Sequence, residues 1–366
     1  MGSESAAAIL EIDLAAIAAN FRALQNRLAP GAECAGVVKA DAYGLGLAPV
    51  AQTLAGCGCR LFFVAQLEEG IALRAALPEH EIAVLNGNLP GTAGLFHAHR
   101  LLPVLNHLGQ IAEWRRSLGD APGRAILHVD TGMARLGLPR DELAVLAAEP
   151  RLLAGIELAA VMSHLACADE PAHPLNAAQL AAFRSALGQL PAAPASLANS
   201  SGVFLGPDYH FRVARPGAAV YGVNPQPGSL NPMAQVVRLK GKIVQTRRID
   251  RGETVGYGAT HRRHRAGCIA TVAVGYADGW LRSLSNRGSA AIAGRRVPVV
   301  GRVSMDLITL DVSALEPSLT EPGTPVDLID AEHGVDAVAA EAGTIGYEIL
   351  TALGRRYARV YTGEAA

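Results

Sequence analysis

The stretch Val37-Val38-Lys39-Ala40-Asp41-Ala42-Tyr43-Gly44-Leu45-Gly46 joins two β-branched residues to a lysine and then to a glycine-containing turn. This order predicts the C-terminal end of a buried strand with Lys39 at its tip. A lysine at the mouth of an apolar site can lose its proton and attack a carbonyl carbon as a neutral amine. Tyr43 follows four residues later, where its hydroxyl could reach a phosphate. A solvated surface lysine fits the same pattern, so this stretch alone leaves both interpretations open.

The composition excludes several classes of protein. A chain of 366 residues, 50% of them hydrophobic, suggests two domains or a large barrel with an appended unit. Its net charge of −1 favours neither nucleic acid nor a membrane as a partner. No apolar stretch approaches the roughly 20 residues that span a bilayer, and residues 1–13 lack the basic start of a secretory signal. Five cysteines, an odd number, favour reduced thiols, and we expect a cytoplasmic protein.

Short apolar runs alternate with helix-like spacing through the first part of the chain. The first helix is predicted after Asp13, an N-cap residue type, because apolar residues from Leu14 to Leu28 recur on one face. Alternating strands and helices favour parallel βα units, and eight of them suggest a closed (β/α)₈ barrel, the TIM barrel. The eight predicted strands are 37–39, 61–65, 82–85, 101–105, 125–129, 158–164, 195–199 and 211–215.

Polar residues end four of these runs: Lys39, His164, Asn199-Ser200 and Arg215. A barrel places its active site at the C-terminal tips of its strands. The sequence therefore predicts that these side chains share one site.

The pattern changes at Asn224-Pro225-Gln226-Pro227-Gly228, a cluster of turn residues that predicts a linker. Short runs separated by turns follow it and predict a mostly β domain, making the whole chain an α/β protein. We assign residues 12–230 to the barrel and 231–366 to the C-terminal β domain, which an N-terminal strand at 6–12 is expected to join. Its predicted strands are 235–244, 268–274, 290–293, 297–300, 307–312 and 326–329.

Seven further motifs follow the Lys39 stretch, and together they span nearly the whole chain, from Ile9 to about Tyr361. In this order they resemble the alanine racemases, isomerases of fold type III that depend on pyridoxal 5′-phosphate (PLP). The resemblance implies a PLP-binding barrel, a β domain and a homodimer with shared active sites. The motifs are His128–Gly137, Ser163-His164, Ala198–Ser200, Ala214–Gly217, Val274–Gly279, Gly301–Asp306 and Gly346–Glu348.

The resemblance implies that Lys39 binds the cofactor covalently. Hydroxyls and backbone N–H groups would hold its phosphate, since such groups suit an anion; these are Ser200, Tyr43, Tyr347 and the backbone at Gly217 and Ala218. His164, Asn199 and Arg215 complete the implied cofactor site. Without the resemblance, Ser200 could instead be a helix cap, and core packing is the ordinary role of both tyrosines.

Arg215 is the residue with the clearest mechanistic implication. The resemblance places it against the pyridine nitrogen of the cofactor. Arginine only donates hydrogen bonds and is effectively never deprotonated, so it cannot readily hand that nitrogen a proton. The ring would remain a weaker electron sink, which restrains side reactions and demands well-placed bases. The alternative role for Arg215 is a surface salt bridge.

Racemisation requires proton removal on one face of the α-carbon and proton return on the other. By resemblance, the two bases are Lys39 and Tyr276. A free tyrosine has a pKa near ~10, so this base needs cationic neighbours, and His164 and Arg215 could supply them through a hydrogen-bonded chain. The implied substrate-binding residues are Arg135, Met305 and Asp306, of which the last two would come from the partner subunit together with Tyr276.

One position departs from the family pattern. The family often carries a carbamylated lysine where this chain has His128, beside the residue equivalent to Arg135. Histidine forms no stable carbamate, so we expect no carbamylation and consider a bound anion such as chloride as the partner of Arg135. Protonation of His128 would set two cations together, so substrate affinity is expected to weaken as the pH falls through the histidine range, near ~6.5.

The sequence thus predicts a homodimeric enzyme that interconverts L- and D-alanine, for peptidoglycan synthesis or for alanine catabolism. Two alternatives stay open: a racemase with a broader amino-acid range, and a non-catalytic PLP-binding homeostasis protein. Proteins of the second kind resemble a lone barrel, and the β domain that carries Tyr276 argues against it. We expect no metal site, because His97, His99 and His107 have no carboxylate or cysteine to complete a ligand set.

Overall fold

The first described elements join the two halves of the molecule. A computed structural model describes residues 5–119 and 122–363. Strand β1 (Ala8–Asp13) leads directly into helix α1 (Leu14–Arg27), and Asp13 caps this helix by accepting a hydrogen bond from Ala16 N at 2.9 Å. The predicted N-cap is therefore confirmed.

Seven parallel strands of the described chain follow one another around a curved sheet in chain order. They are preceded by β2 (Glu33–Cys34), which pairs in parallel with the short strand at Val213–Ala214 described below. The seven are β3 (Gly36–Val37), β4 (Leu61–Val64), β5 (Glu81–Val84), β6 (Leu102–Leu105), β7 (Gly123–His128), β8 (Ile156–Met162) and β9 (Ala195–Ser196).

Strand β10 (Val213–Ala214) closes this sheet into a barrel. Arg212 N donates to Ala195 O at 3.0 Å on one side of β10, and Ala35 N donates to Ala214 O at 2.9 Å on the other. Apolar side chains that alternate along the strands fill the interior, among them Val37, Phe63 and Ile126. The predicted (β/α)₈ barrel is confirmed.

Helices surround the barrel and cover the outer faces of its strands. Their apolar faces and the outward strand residues belong to the largest buried cluster, which continues into the C-terminal half of the chain. The helices are α3 (Leu47–Gly56), α4 (Leu67–Ala76), α5 (Ala93–Ala98), α6 (Leu108–Ser117), α7 (Arg140–Ala148) and α8 (Pro174–Leu187). The short segment α2 (Lys39–Tyr43) precedes them and has left-handed backbone angles at Ala40–Tyr43.

The C-terminal half forms a mostly β unit around one long strand, β11 (Val237–Ile249). Strand β11 pairs antiparallel with β1, so the first strand of the chain belongs to this sheet. The other strands are β12 (Thr254–Val255), β13 (His261–Arg262), β14 (Gly267–Val272), β15 (Ser289–Ile292), β16 (Arg295–Pro298), β17 (Ile308–Asp311), β18 (Pro325–Ile329) and β19 (Ala358–Thr362). The unit also contains α9 (Val335–Ala342) and α10 (Gly346–Ala352).

The six strands predicted here correspond to β11, β14, β15, β16, β17 and β18, which confirms the mostly β character of this half. The sequence analysis missed α9, α10, the short paired strands β12 and β13, and the terminal strand β19, which pairs in parallel with β1. Across the residues that the structure describes, no helix combines the length and the apolar character needed to cross a membrane.

Candidate active site

A cavity of about 670 Å³ opens at the C-terminal ends of the barrel strands. Ten of the thirteen predicted site residues line it, and they come from strand tips, from the loops that follow them and from α10. These ten are Lys39, Tyr43, Arg135, His164, Asn199, Ser200, Arg215, Gly217, Ala218 and Tyr347. The predicted cofactor residues and Arg135 are therefore brought together in one chain. Met305 and Asp306 are not among the lining residues, and neither is the proposed second base, Tyr276.

The backbone after Lys39 has an unusual conformation. Four consecutive non-glycine residues, Ala40 to Tyr43, have φ angles of 53° to 55° and form a left-handed turn. An L-residue in this conformation costs roughly 1–2 kcal/mol, so the surroundings must hold the turn in place. Gly44 continues it at φ 83°, and a side chain there would collide with the carbonyl oxygen of Leu350. The turn directs Lys39 and Tyr43 into the same cavity.

Lys39 lies in an environment that disfavours its charged form. Partial burial is the main cause that lowers its pKa, and the nearby Arg135 lowers it further. Glu69 acts in the opposite direction and raises it. The net lowering favours the neutral amine, the form in which a lysine is a nucleophile or a base.

Arg215 is a buried cation with no acidic partner. Its side chain donates to Ser196 Oγ and to Ser163 O, the latter at 2.6 Å, and it lies 3.5 Å from His164 Nδ1. In the chain as described, no carboxylate forms an ion pair with it, and burial lowers the pKa of its guanidinium to about 10. The surface salt bridge considered from the sequence is therefore wrong. A buried donor of this kind suits an acceptor atom of a ligand in the cavity.

The two histidines near Arg215 are neutral. Burial, together with Arg215, lowers the pKa of His164 well below its ordinary value and that of His128 to about 3. Asn106 Nδ2 donates to two backbone carbonyls, so its oxygen accepts from His128 Nδ1 at 2.8 Å and fixes the histidine tautomer. Of these three side chains, only Arg215 is positively charged. The expectation that His164 acts as a cationic neighbour of the base Tyr276 is therefore wrong.

His128 also differs from its predicted role. Because its pKa is so low, it does not take up a proton in the ordinary histidine range, and the expected loss of affinity near pH 6.5 does not follow from it. Arg135 is exposed at the rim of the cavity rather than buried. Water can solvate its guanidinium, so the structure gives no reason to require an anion beside it.

A small polar cradle, built from Ser200, Gly217, Tyr43 and Tyr347, forms one side of the cavity. Ser200 is buried, and its Oγ accepts from Gly217 N at 3.0 Å and from Ala219 N at 3.1 Å. A Cβ atom on Gly217 would overlap the hydroxyl oxygen of Tyr43, so only a glycine admits the tyrosine here. The Tyr43 ring packs against Tyr221 with ring centroids 4.7 Å apart and contacts Tyr347 edge-on.

These features fit PLP on chemical grounds. The cradle offers the hydroxyls of Ser200 and Tyr43 to a phosphate, because Ser200 accepts two hydrogen bonds and keeps its own O–H free to donate. The lowered pKa of Lys39 suits reaction with an aldehyde, and Arg215 offers a donor to a ring nitrogen. Apolar side chains, including Phe63 and Leu85, line the remainder of the cavity and suit an aromatic ring. Within residues 5–119 and 122–363, no group of three or more metal-binding side chains is assembled.

The remaining predicted residues form a second cluster on the C-terminal unit. Tyr276 is 43% exposed and Met305 is 53% exposed, although both are large apolar side chains. Tyr276 N donates to Ser304 O at 2.9 Å, so the tyrosine and the Met305 loop lie side by side. Arg356 ties them further by binding Asp278 at 2.9 Å and Asp306 at 2.7 Å. This cluster presents a preformed, exposed surface.

Sequence reasoning missed several residues of the cavity. Asp169, Thr344, Ile345 and Glu348 also line it, and Tyr221 supports it by donating to Val37 O at 2.8 Å. Glu348 belongs to a motif that the sequence analysis quoted, but no physical signal in the sequence marked the other four. Their position depends on how α10 and the barrel loops pack in three dimensions.

Comparison with known proteins agrees with the site. The family model for the alanine racemase N-terminal domain matches residues 12–225, and the C-terminal domain model matches residues 236–361. The alanine racemase of Rhodospirillum rubrum is 53% identical over 99% of this chain and 98% of its own length. A catabolic alanine racemase of Mesorhizobium japonicum is 51% identical over 99% of this chain and 95% of its own length.

Solved structures give the same result for the fold. Alanine racemase from Bartonella henselae, with covalently bound pyridoxal phosphate, is 41% identical; the match covers 98% of this chain and 100% of that one, with a TM-score of 0.93. Biosynthetic alanine racemase from Pseudomonas aeruginosa is 35% identical, with coverage of 98% and 99% and a TM-score of 0.91. From its matching domains, its relatives and its cavity, the chain belongs to the alanine racemase family.

Proposed function

We propose that this protein interconverts L- and D-alanine in a PLP-dependent reaction, with Lys39 and Tyr276 as its two bases. The observation that carries the proposal is the single cavity that joins a lysine of lowered pKa to the buried, carboxylate-free Arg215. When bound, the cofactor would withdraw electrons from the substrate's α-carbon and make its hydrogen acidic. Every other step falls to the residues of the chain.

Lys39 holds and moves one proton. The left-handed turn presents its Nζ to the cavity, and partial burial favours the neutral amine that can accept a proton from the α-carbon. Arg215 stays protonated and only donates, so it keeps a ring nitrogen from gaining a proton. The reaction then depends on two well-placed bases rather than on a strong electron sink, which limits transamination and decarboxylation.

Tyr276 acts on the opposite face, and we propose that it comes from the partner subunit of a homodimer. It is exposed and lies outside the cavity of its own chain. Met305 and Asp306 are adjacent and are proposed to enter the same neighbouring site, where they bind substrate. Arg135, at the rim of the cavity, would bind the substrate carboxylate from the first subunit.

The cofactor is proposed to bind Lys39 covalently, with its phosphate in the cradle formed by Ser200, Gly217 and the tyrosines. His164, Asn199 and Ala218 would complete its surroundings. We assign residues 12–230 to the PLP-binding domain and 231–366 to the β domain. The pairing of β1 with β11 supports a contribution of the N-terminal strand to the second domain. We propose a cytoplasmic location, without nucleic-acid or membrane partners.

Substrate range is tested with the purified protein and a panel of L-amino acids, each assayed for its D-enantiomer. We expect D-alanine to form at a rate well above that of any larger product. Comparable rates for long side chains would instead indicate a broad-specificity racemase. Bound PLP without any D-product would indicate the non-catalytic alternative.

Shared active sites are tested by mixing two inactive variants, Lys39→Ala and Tyr276→Phe. If each site takes Lys39 from one chain and Tyr276 from the other, a mixed dimer contains one intact site. We expect statistical mixing to restore about a quarter of wild-type activity, because about half of the dimers are mixed and each has one of two sites. Exchange is verified with differently tagged subunits, and verified exchange without recovered activity would disprove the shared site.

A further inference from the structure

Glu69 is a partly buried carboxylate in the first turn of α4, and nothing in the catalytic proposal uses it. Its Oε2 accepts from Ala65 N at 2.8 Å and from Gln66 N at 3.0 Å. The second of these bonds is part of an ordinary capping box, in which the third helical residue binds the backbone of the N-cap residue. Capping α4 therefore accounts for only one oxygen of the carboxylate.

The other carboxylate oxygen of Glu69, Oε1, contacts the segment that follows β3. Glu69 Oε1 accepts from Ala40 N at 2.5 Å, and Ala40 is the first residue of the left-handed turn that follows Lys39. One carboxylate thus ties the tip of β3 to the tip of β4. Because no glycine relieves the strain at positions 40 to 43, this turn needs a contact that favours it over the ordinary right-handed conformation.

We propose that Glu69 is a positioning residue for Lys39: its carboxylate holds the left-handed turn and so fixes the amine in the cavity. The inference rests on the proposed role of Lys39 as base. A bond from a charged acceptor to the amide directly after Lys39 restrains the backbone at the point where the lysine side chain leaves it. The capping bonds anchor the same carboxylate to α4, which makes the restraint rigid.

The charge of Glu69 has a second effect on the same residue. Three ionisable side chains influence or face Lys39 from neighbouring elements: Arg135, His164 and Glu69. His164 is neutral, Arg135 lowers the pKa of the lysine and Glu69 raises it. Removing the carboxylate charge therefore lowers the pKa of Lys39 further, and the lysine becomes a free base at lower pH.

The substitution Glu69→Gln separates the tether from the helix cap. The single carbonyl oxygen of the glutamine side chain can occupy the Oε2 position and keep the hydrogen bonds from the N–H groups of residues 65 and 66. Its amide nitrogen then faces Ala40 N, so two donors meet and the tether is lost. Glu68→Gln is the matched control, since Glu68 is the neighbouring carboxylate of the same helix, is exposed and has no hydrogen bond to the described chain.

The main measurement is hydrogen–deuterium exchange by mass spectrometry on the purified full-length holoenzyme. In Glu69→Gln we expect the amides of residues 38–46 to exchange at least about tenfold faster, while those of 67–76 stay unchanged. The Glu68→Gln protein should match wild type in both segments. Unchanged exchange at 38–46, or equal acceleration of both segments, would overturn the proposal.

The pH dependence of kcat provides the second measurement. Its acid limb, where Lys39 must lose a proton, should shift to lower pH in Glu69→Gln, because the carboxylate that raises the pKa of the lysine is gone. Glu69→Asp keeps the charge but is too short to reach Ala40, so we expect faster exchange at 38–46 with the acid limb unmoved. A limb that shifts equally in Glu68→Gln would refute the inference. Full activity of Lys39→Ala would refute the proposed base instead, whatever the exchange data show.

Discussion

Gly217→Ala is the sharpest test of the proposed phosphate cradle. Gly217 has a negative φ of −117°, so the substitution does not place a side chain in the left-handed region. The added Cβ would overlap the Tyr43 hydroxyl oxygen and lie 3.0 Å from Tyr43 Cζ. Relief requires the tyrosine to move, yet its ring is confined by Tyr221 at a centroid distance of 4.7 Å.

Two costs follow from that geometry. Overpacking a confined side chain costs about 1–3 kcal/mol of stability. If the Tyr43 hydroxyl also binds the phosphate, its displacement removes a hydrogen bond to a charged group, worth about 1.5–3 kcal/mol, so PLP affinity should fall by roughly 10- to 150-fold. Thermal unfolding of the cofactor-free protein measures the first cost, and equilibrium dialysis against PLP measures the second.

Two further variants make the result specific. Gly94→Ala adds a methyl group in a helix where nothing lies within 4 Å, so it should leave PLP affinity unchanged and not reduce stability. The double variant Gly217→Ala/Tyr43→Phe removes the overlapping oxygen, and it should recover most of the stability but not the affinity. Wild-type stability and affinity in Gly217→Ala alone would refute the reasoning.

Two other predictions concern charge. Burial holds the pKa of His128 near 3 and that of His164 well below its ordinary value, whereas both take up protons below about 6.5 in the unfolded chain. The free energy of unfolding should therefore fall as the pH drops below about 6.5. Melting temperatures measured between pH 8 and pH 5 test this. If the melting temperature of His128→Gln depends on pH as steeply as that of the wild type, the prediction is wrong. Arg356→Ala should loosen the Met305 loop and raise the KM for alanine. The increase should be at most about fivefold, because the arginine is half exposed and exposed ion pairs are weak. A lowered kcat with an unchanged KM would contradict this role.

Much of the fold could be predicted because its signals are local. Runs of β-branched and apolar residues end in polar tips, and this pattern alone located the barrel strands and five residues of the cavity. The ring closes through β10, only two residues long, and its register depends on bonds to Ala195 and Ala35 that no local pattern encodes. The shortest strands were therefore predicted as longer than they are.

The electrostatics of the site depends on burial and could not be predicted in the same way. His128 lies at the end of a strand pattern that does not reveal its neutral state, which comes from its burial and from the nearby Arg215. The left-handed turn at 40–43 is likewise invisible in the sequence, since none of its residues is a glycine. The proposed role of Glu69 also could not be predicted, because it depends on a hydrogen bond from Ala40 N, 29 residues away in the sequence.

The position of β1 has a consequence for how the protein is made. This strand leaves the ribosome long before its partners β11 and β19, which lie at residues 237–249 and 358–362. At the usual rate of synthesis, β1 waits on the order of 10 to 45 s for β11 to appear. All the barrel strands are synthesised within that interval, whereas Leu10 and Ile12, fully buried in the finished molecule, still lack the strands that they pair with. The two halves also cannot be separated by a cut after residue 228, because the released barrel would keep the strand that its partner needs.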